Sequence, residues 1–193
     1  MSDGHEGESL HRRLRDLDAV LRTRMAGEHE RDLPFEELAF NRWERARRLG
    51  FGEGASVYHS VYIYGDVRVG PNSWIGPMVM LDGSGGGIEI GHHCSISAGV
   101  HVYTHDTVAW ALTGGRAEPA RGSVSIGACT HVGAQVVVRH GVTVGEQCVI
   151  GAHAFVNADV PDRSIVLAEC TRKVVVSRAF AKANRCSACI LGW

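Results

Sequence analysis

Ile126-Gly127-Ala128-Cys129-Thr130-His131 and, four units further on, Ile150-Gly151-Ala152-His153-Ala154-Phe155 are two copies of one six-residue pattern. An aliphatic residue opens the unit, glycine follows, and a small or β-branched residue stands four positions after the opening one. Outward from these copies the frame holds through Val132, Val138, Val144 and Val156. Upstream it returns as Ile90, Ile96 and Val102, and before that as Val57, Ile63, Val69, Ile75 and Leu81. The small position carries Ser73, Val79, Cys94, Val100, Thr130, Val136, Val142, Cys148 and Ala154. A fixed short period dictates architecture before any other signal is weighed. Neither a helical period nor plain strand alternation gives a repeat of six. A strand of about three residues followed by a tight corner does, with the aliphatic and small residues pointing into a narrow core. The glycines are expected to supply corner backbone angles that other residues resist.

Two interruptions break the frame: a short glycine-rich insert, Gly83 to Gly87, and a long loop at 106–123. The repeat body is assigned to 55–174. Residues 1–54 read as a helical cap or arm. Leu10, Leu14, Leu17, Leu21 and Met25 form an apolar stripe at helical spacing over residues 9 to 29. A second helix is expected to be capped by Asp32 with Pro34 in its first turn, to present Ala39, Trp43, Ala46 and Leu49 on one face, and to end at Gly50. These helices would cover the unpaired edge of the first coil; an arm used only for contact between copies fits the pattern equally. Residues 175–193 are read as a short C-terminal helix, over Ser177 to Arg185, and tail.

The 193 residues suffice for one domain with extensions. Lys and Arg total 20 against 21 acids, a balance that excludes a general polyanion binder and a polybasic membrane anchor. No basic–apolar–small leader opens the sequence, and no apolar run approaches the roughly 18 residues of a membrane span. The expected location is cytoplasmic. Cys94 and Cys148 fall on inward repeat positions as small apolar fillers. Cys186 and Cys189 form a lone CxxC, two thiols where a structural zinc takes four ligands.

The repeat unit resembles that of the hexapeptide-repeat acyltransferases, over about Val57 to Val174. The resemblance implies a mainly β fold, a left-handed parallel β-helix with three repeats per coil, and a homotrimer with sites at the subunit clefts. Val102-Tyr103-Thr104-His105-Asp106-Thr107, Trp43 to Gly52 and Ser95 to Val100 are similar to the branch that acetylates sugars and antibiotics, including O- and N-acetyltransferases of surface-polysaccharide pathways. The implied reaction is acetyl transfer from acetyl-CoA to a hydroxyl or amine of a sugar or nucleotide sugar, with no metal and no nucleic acid. Acyl transfer from a thioester needs a base for the acceptor's proton, and neutral imidazole suits neutral pH. The resemblance gives that role to His105.

Asp82 or Asp106 would orient that imidazole or meet the acceptor; Met78 and Met80 replace the family's asparagine nearby and point to a different or more apolar acceptor. Trp110 either stacks on a substrate or pins the loop. His131 takes the place of an aromatic beside the coenzyme arm, and Ala134 and Ala152 match positions whose backbone amides meet coenzyme A. Arg172 and Lys173 remain for the coenzyme phosphates. The family's usual Thr-Lys-Asp-Ile-Pro reads Asn157-Ala158-Asp159-Val160-Pro161 here, without the lysine. Two other readings are open: a trimeric scaffold that kept the helix and lost catalysis, and a γ-type carbonic anhydrase. The latter needs three converging histidines, and His131, His140 and His153 lack its spacing.

Overall fold

Strands of mostly two or three residues, joined by tight corners, stack into coils along one axis. The computed structural model describes residues 3–168 and 175–177, with side chains from 7 to 168. The first coil holds β1 (Ser56–Val57) and β2 (Tyr62–Val69); the second holds β3 (Trp74–Ile75) and β4 (Met80–Ile90). The third holds β5 (Ser95–Ile96) and β6 (His101–Tyr103). An excursion with β7 (His105–Asp106), α4 (Val108–Leu112) and β8 (Ala120–Arg121) follows before β9 (Val124–Ile126) closes that coil. The fourth is β10 (His131–Val132), β11 (Val137–Val138) and β12 (Thr143–Val144); the fifth has β13 (Val149–Ile150) and β14 (Phe155–Val156), and β15 (Ile165–Leu167) follows.

Uninterrupted coils advance eighteen residues, so Val57 lies beside Ile75 and Val132 beside Ile150. Three faces result. The first is the parallel stack β1-β3-β5-β10-β13-β15. The second joins the starts of β2 and β4 to β6, β11 and β14, and the third joins the ends of β2 and β4 to β9 and β12. This is the expected left-handed parallel β-helix. All the aliphatic anchors are buried except Ile63, which is partly so.

The small positions do more than save space. Along one corner Ser73, Cys94, Thr130, Cys148 and Ser164 stack, all buried. Ser73 Oγ donates to Gly91 O at 2.8 Å and accepts from Cys94 N–H at 2.9 Å. Thr130 Oγ1 donates to Gly145 O at 3.0 Å and accepts from Cys148 N–H at 3.1 Å. Each hydroxyl satisfies backbone groups that the corner would otherwise leave buried and unpaired. Burial pushes the Cys94 and Cys148 thiols up, keeping them neutral fillers.

The glycines act differently from expectation. Left-handed corner angles fall mostly on non-glycine residues: Asn72, His93, Cys129, Gln147 and Arg163 stack at one corner with φ of 54 to 58°, and Gly54, Gly99 and Gly141 supply others. No frame glycine has positive φ. Gly127 shows what the position requires: a Cβ there would lie 2.5 Å from Gly145 C of the next coil. The constraint is close approach of successive backbones, not backbone angle.

The N-terminal helices are α1 (Asp3–His29), α2 (Phe35–Ala39) and α3 (Arg42–Arg48). The single second helix expected from the sequence is broken. Asn41 begins α3 and its Oδ1 accepts from Trp43 N–H and Glu44 N–H, while Asp32 pairs with Arg22 instead of capping. Ala46 and Phe51 plug the open end of the core. Arg45 donates to Tyr58 O and Val61 O, and Glu37 accepts from His59 N–H and Ser60 N–H, so the first coil's free edge is satisfied by side chains. α1 packs on α2, leaving Leu10, Leu14 and Leu17 about half exposed. At the other end β16 (Val175–Ser177) pairs antiparallel with β15; the helix expected over Ser177 to Arg185 lies, apart from Ser177, outside the described residues. Among the described residues no helix is long and apolar enough to cross a membrane.

Candidate active site

The excursion leaves the second face after Tyr103 and rejoins the third at Val124. The long loop at 106–123 carries structure of its own: β7 and β8 pair antiparallel, His105 opposite Arg121 and Asp106 opposite Ala120, and α4 lies between them.

Thr104, fully buried, fixes its start. Its N–H and Oγ1 both donate to Asp82 O, at 3.0 and 2.6 Å. Oγ1 accepts from Gly85 N–H at 2.8 Å, and the Thr104 carbonyl accepts from Gly122 N–H at 2.9 Å. The glycine insert thereby acquires a purpose. A Cβ on Gly85 would stand 2.3 Å from Thr104 O and 2.7 Å from His105 Cβ, so only glycine lets β4 run against the excursion here.

His105 is next, with about a third of its side chain exposed. Its Nδ1 is buried, has no hydrogen-bond partner among the described residues, and lies 3.7 Å from Asp82 Oδ2. That separation is too long for a hydrogen bond but short enough to become one with a small shift on substrate binding. Asp82 is aimed: its Oδ1 accepts from Ser84 N–H at 3.2 Å and from Ser84 Oγ at 2.6 Å, leaving Oδ2 toward the imidazole. Of the two carboxylates considered for orienting His105, the geometry favours Asp82.

Asp106 turns elsewhere. Its Oδ1 accepts from Val108 N–H at 3.1 Å, and Oδ2 meets His140 Nε2 at 2.7 Å, with Arg139 at 3.8 Å. The Val108 N–H, then His140, hold its carboxyl below the usual range. Tyr103, His105, His140, Val137, Phe155 and the α4 residues Val108 and Leu112 line one groove, mainly apolar, with two imidazoles in its wall.

The remaining sequence-predicted residues are not gathered there. Trp110 sits on α4 beside Gly115, half exposed, and does not line the groove. His131 is exposed on the first face between Ser95 and Val149. Ala134 and Ala152 stack at the corner between first and second faces, with His153 N–H donating to Ala134 O; His105 leaves the second face at its opposite edge. Arg172 and Lys173 lie outside the described residues. His131, His140 and His153 stay apart, and among the described residues no three metal-ligating side chains converge. Sequence reasoning missed Ser84, Gly85 and His140 as parts of the site. The insert's glycines were a visible signal, but nothing local marks His140, whose partner is 34 positions away.

Residues 123–158 match the family described as bacterial transferase hexapeptide (six repeats), and residues 66–104 match the hexapeptide repeat of succinyl-transferase. Among solved structures, the hexapeptide-repeat-containing acetyltransferase VCA0836 of Vibrio cholerae O1 biovar eltor, complexed with acetyl coenzyme A, is 25% identical. The alignment covers 86% of each chain with a TM-score of 0.58. AntD, an N-acyltransferase from Bacillus cereus in complex with dTDP and 3-hydroxybutyryl-CoA, is 20% identical, with 72% of this chain and 91% of that one covered and a TM-score of 0.56. A variant of AntD was solved with dTDP-4-amino-4,6-dideoxyglucose and coenzyme A; it is 20% identical over 70% of this chain and 88% of that one, with a TM-score of 0.56. The same six-residue frame is matched on both sides of the excursion and the coil stack is shared with these enzymes, so the chain carries the hexapeptide repeats of bacterial transferases on the fold of these acyltransferases.

Proposed function

We propose that the protein transfers an acetyl group from acetyl-CoA to a hydroxyl or amine of a sugar or nucleotide sugar, with His105 as general base. The observation that carries this reading is the place of His105: on a groove wall, its buried Nδ1 facing the aimed carboxylate of Asp82. A proton on Nδ1, drawn toward Asp82, leaves Nε2 with the free lone pair. Nε2 takes the acceptor's proton as its oxygen or nitrogen attacks the thioester carbonyl. The C–S bond then breaks, and the coenzyme thiolate leaves and is protonated.

The donor side is proposed to come from a second protomer of a homotrimer. Ala134, Ala152 and His131 lie across the second face from His105, so a neighbouring copy must present them if they serve the same thioester. Arg172 and Lys173 are proposed to pair with the coenzyme phosphates. VCA0836 with acetyl coenzyme A and AntD with a nucleotide-linked amino sugar support the choice of donor and first acceptors.

The test is thiol release from acetyl-CoA with dTDP-4-amino-4,6-dideoxyglucose and simple sugars as acceptors. His105→Ala should lower turnover by roughly 10²–10⁴ with folding intact. Unchanged turnover in that variant removes His105 from the mechanism.

A further inference from the structure

The groove holds a second imidazole that the mechanism above does not use. His140 lies at the end of β11, one coil beyond β6, with its side chain 12% exposed. Its Nε2 stands 2.7 Å from Asp106 Oδ2. A carboxylate only accepts, so Nε2 carries the proton, and the contact fixes one tautomer of the ring. Asp106 is in turn tied to the start of α4 through Val108 N–H and has Arg139 at 3.8 Å on its outer side.

The peptide that carries His105 is therefore gripped from both directions along the helix axis. Toward the second coil, Thr104 is bonded to Asp82 O and Gly85 N–H. Toward the fourth coil, Asp106 is bonded to His140. Among the described residues His105 itself makes no hydrogen bond through its buried Nδ1, so its placement depends on these neighbours. Losing the first grip would disturb the core, because Thr104 is fully buried. The second grip is less buried, with the Asp106 side chain 29% exposed, and joins the excursion to the fourth coil.

We propose that His140 is a positioning residue: through Asp106 it clamps the excursion to the fourth coil and so holds the His105 imidazole against Asp82. This rests on the reading of His105 as the base, and adds a residue that acts through it.

The test uses full-length protein with ¹⁵N-labelled histidine and the variants His140→Phe and His140→Gln. Phenylalanine fills similar space without a donor; glutamine restores an N–H for Asp106. In the unaltered protein, two-bond ¹H–¹⁵N spectra should show the Nε2–H tautomer at His140. In His140→Phe the melting temperature should stay close to that of the unaltered protein, while the His105 ring resonances and their titration midpoint move. With the substrates named above, kcat should fall roughly 10–100-fold, the scale of a misplacement on the order of 1 Å, with KM for acetyl-CoA little changed. His140→Gln should recover most of both. A purely structural residue would lower stability without moving the His105 titration. The clamp is overturned if His140→Phe leaves the His105 resonances unchanged, or if His140→Gln is as impaired as His140→Phe. The spectra need no substrate, so they decide the clamp even where no turnover is found, an outcome that counts against the acetyl-transfer reading alone.

Discussion

His105 and Asp106 are adjacent in the chain and serve different coils. Successive residues of a strand point to opposite sides, so one faces Asp82 below and the other His140 above. The ionised form of Asp106 is favoured first by the Val108 N–H and then by His140, which places its folded pKa below that of the unfolded chain, about 3.9. The sign of the consequence follows from linkage. A depressed carboxyl contributes stability that is fully present above the unfolded pKa and is lost as pH falls through the folded value. The excursion should therefore loosen in acid before the coils do. Hydrogen-exchange protection at the Val108 amide should be intact at pH 5 and collapse below about pH 4, while amides of β10 and β13 keep theirs. Parallel loss of protection at all three would mean that Asp106 has no separate hold on α4.

At the scale of the element, a coil needs two unusual things from its sequence, and they fall on different residues. Glycine is required where backbones of successive coils nearly touch, as at Gly127, whose absent Cβ would meet Gly145 C at 2.5 Å. Left-handed angles are required one residue before the inward small position, where Cys129 and Gln147 supply them at φ of 58 and 55°. Substitutions should separate the two requirements. Gly127→Ala is expected to destabilise by about 1–3 kcal/mol or more, because the neighbouring backbone must move. Gln147→Gly relieves left-handed strain but adds freedom to the unfolded chain, and these nearly cancel at under about 1 kcal/mol. Urea unfolding of both variants checks the order; a larger loss at Gln147 would restore the view that glycine marks the corner angle. The frame itself was plain in the sequence because a coil repeats its demands every eighteen residues. The break between α2 and α3 was less so, although Asn41 followed three positions later by Glu44 is a helix-start signal. His140 was not readable at all. Its partner Asp106 reaches it only because the excursion between them folds back to the coil below, and no local period records that contact.

For the whole molecule, the decisive question is whether one chain holds a complete site. Within a single chain, His105 leaves the second face at one edge and Ala134 and Ala152 stack along the other. The face between them carries Tyr62, Tyr64 and Phe155, each about half exposed among the described residues. The proposed cyclic trimer would account for both features, since a closed ring sets one edge of each copy against the opposite edge of the next. Complementation tests this directly. His105→Ala removes the proposed base, and Ala152→Trp fills the proposed donor edge with bulk while leaving His105 in place. Each variant alone should be inactive in acetyl transfer. Mixed in equal amounts during assembly, they should regain about a quarter of unaltered activity, because a site drawn from two neighbours has one chance in four of combining an intact base with an intact donor edge. If base and donor edge belonged to the same chain, every site in the mixture would carry one defect or the other, and the mixed protein would stay inactive at any ratio.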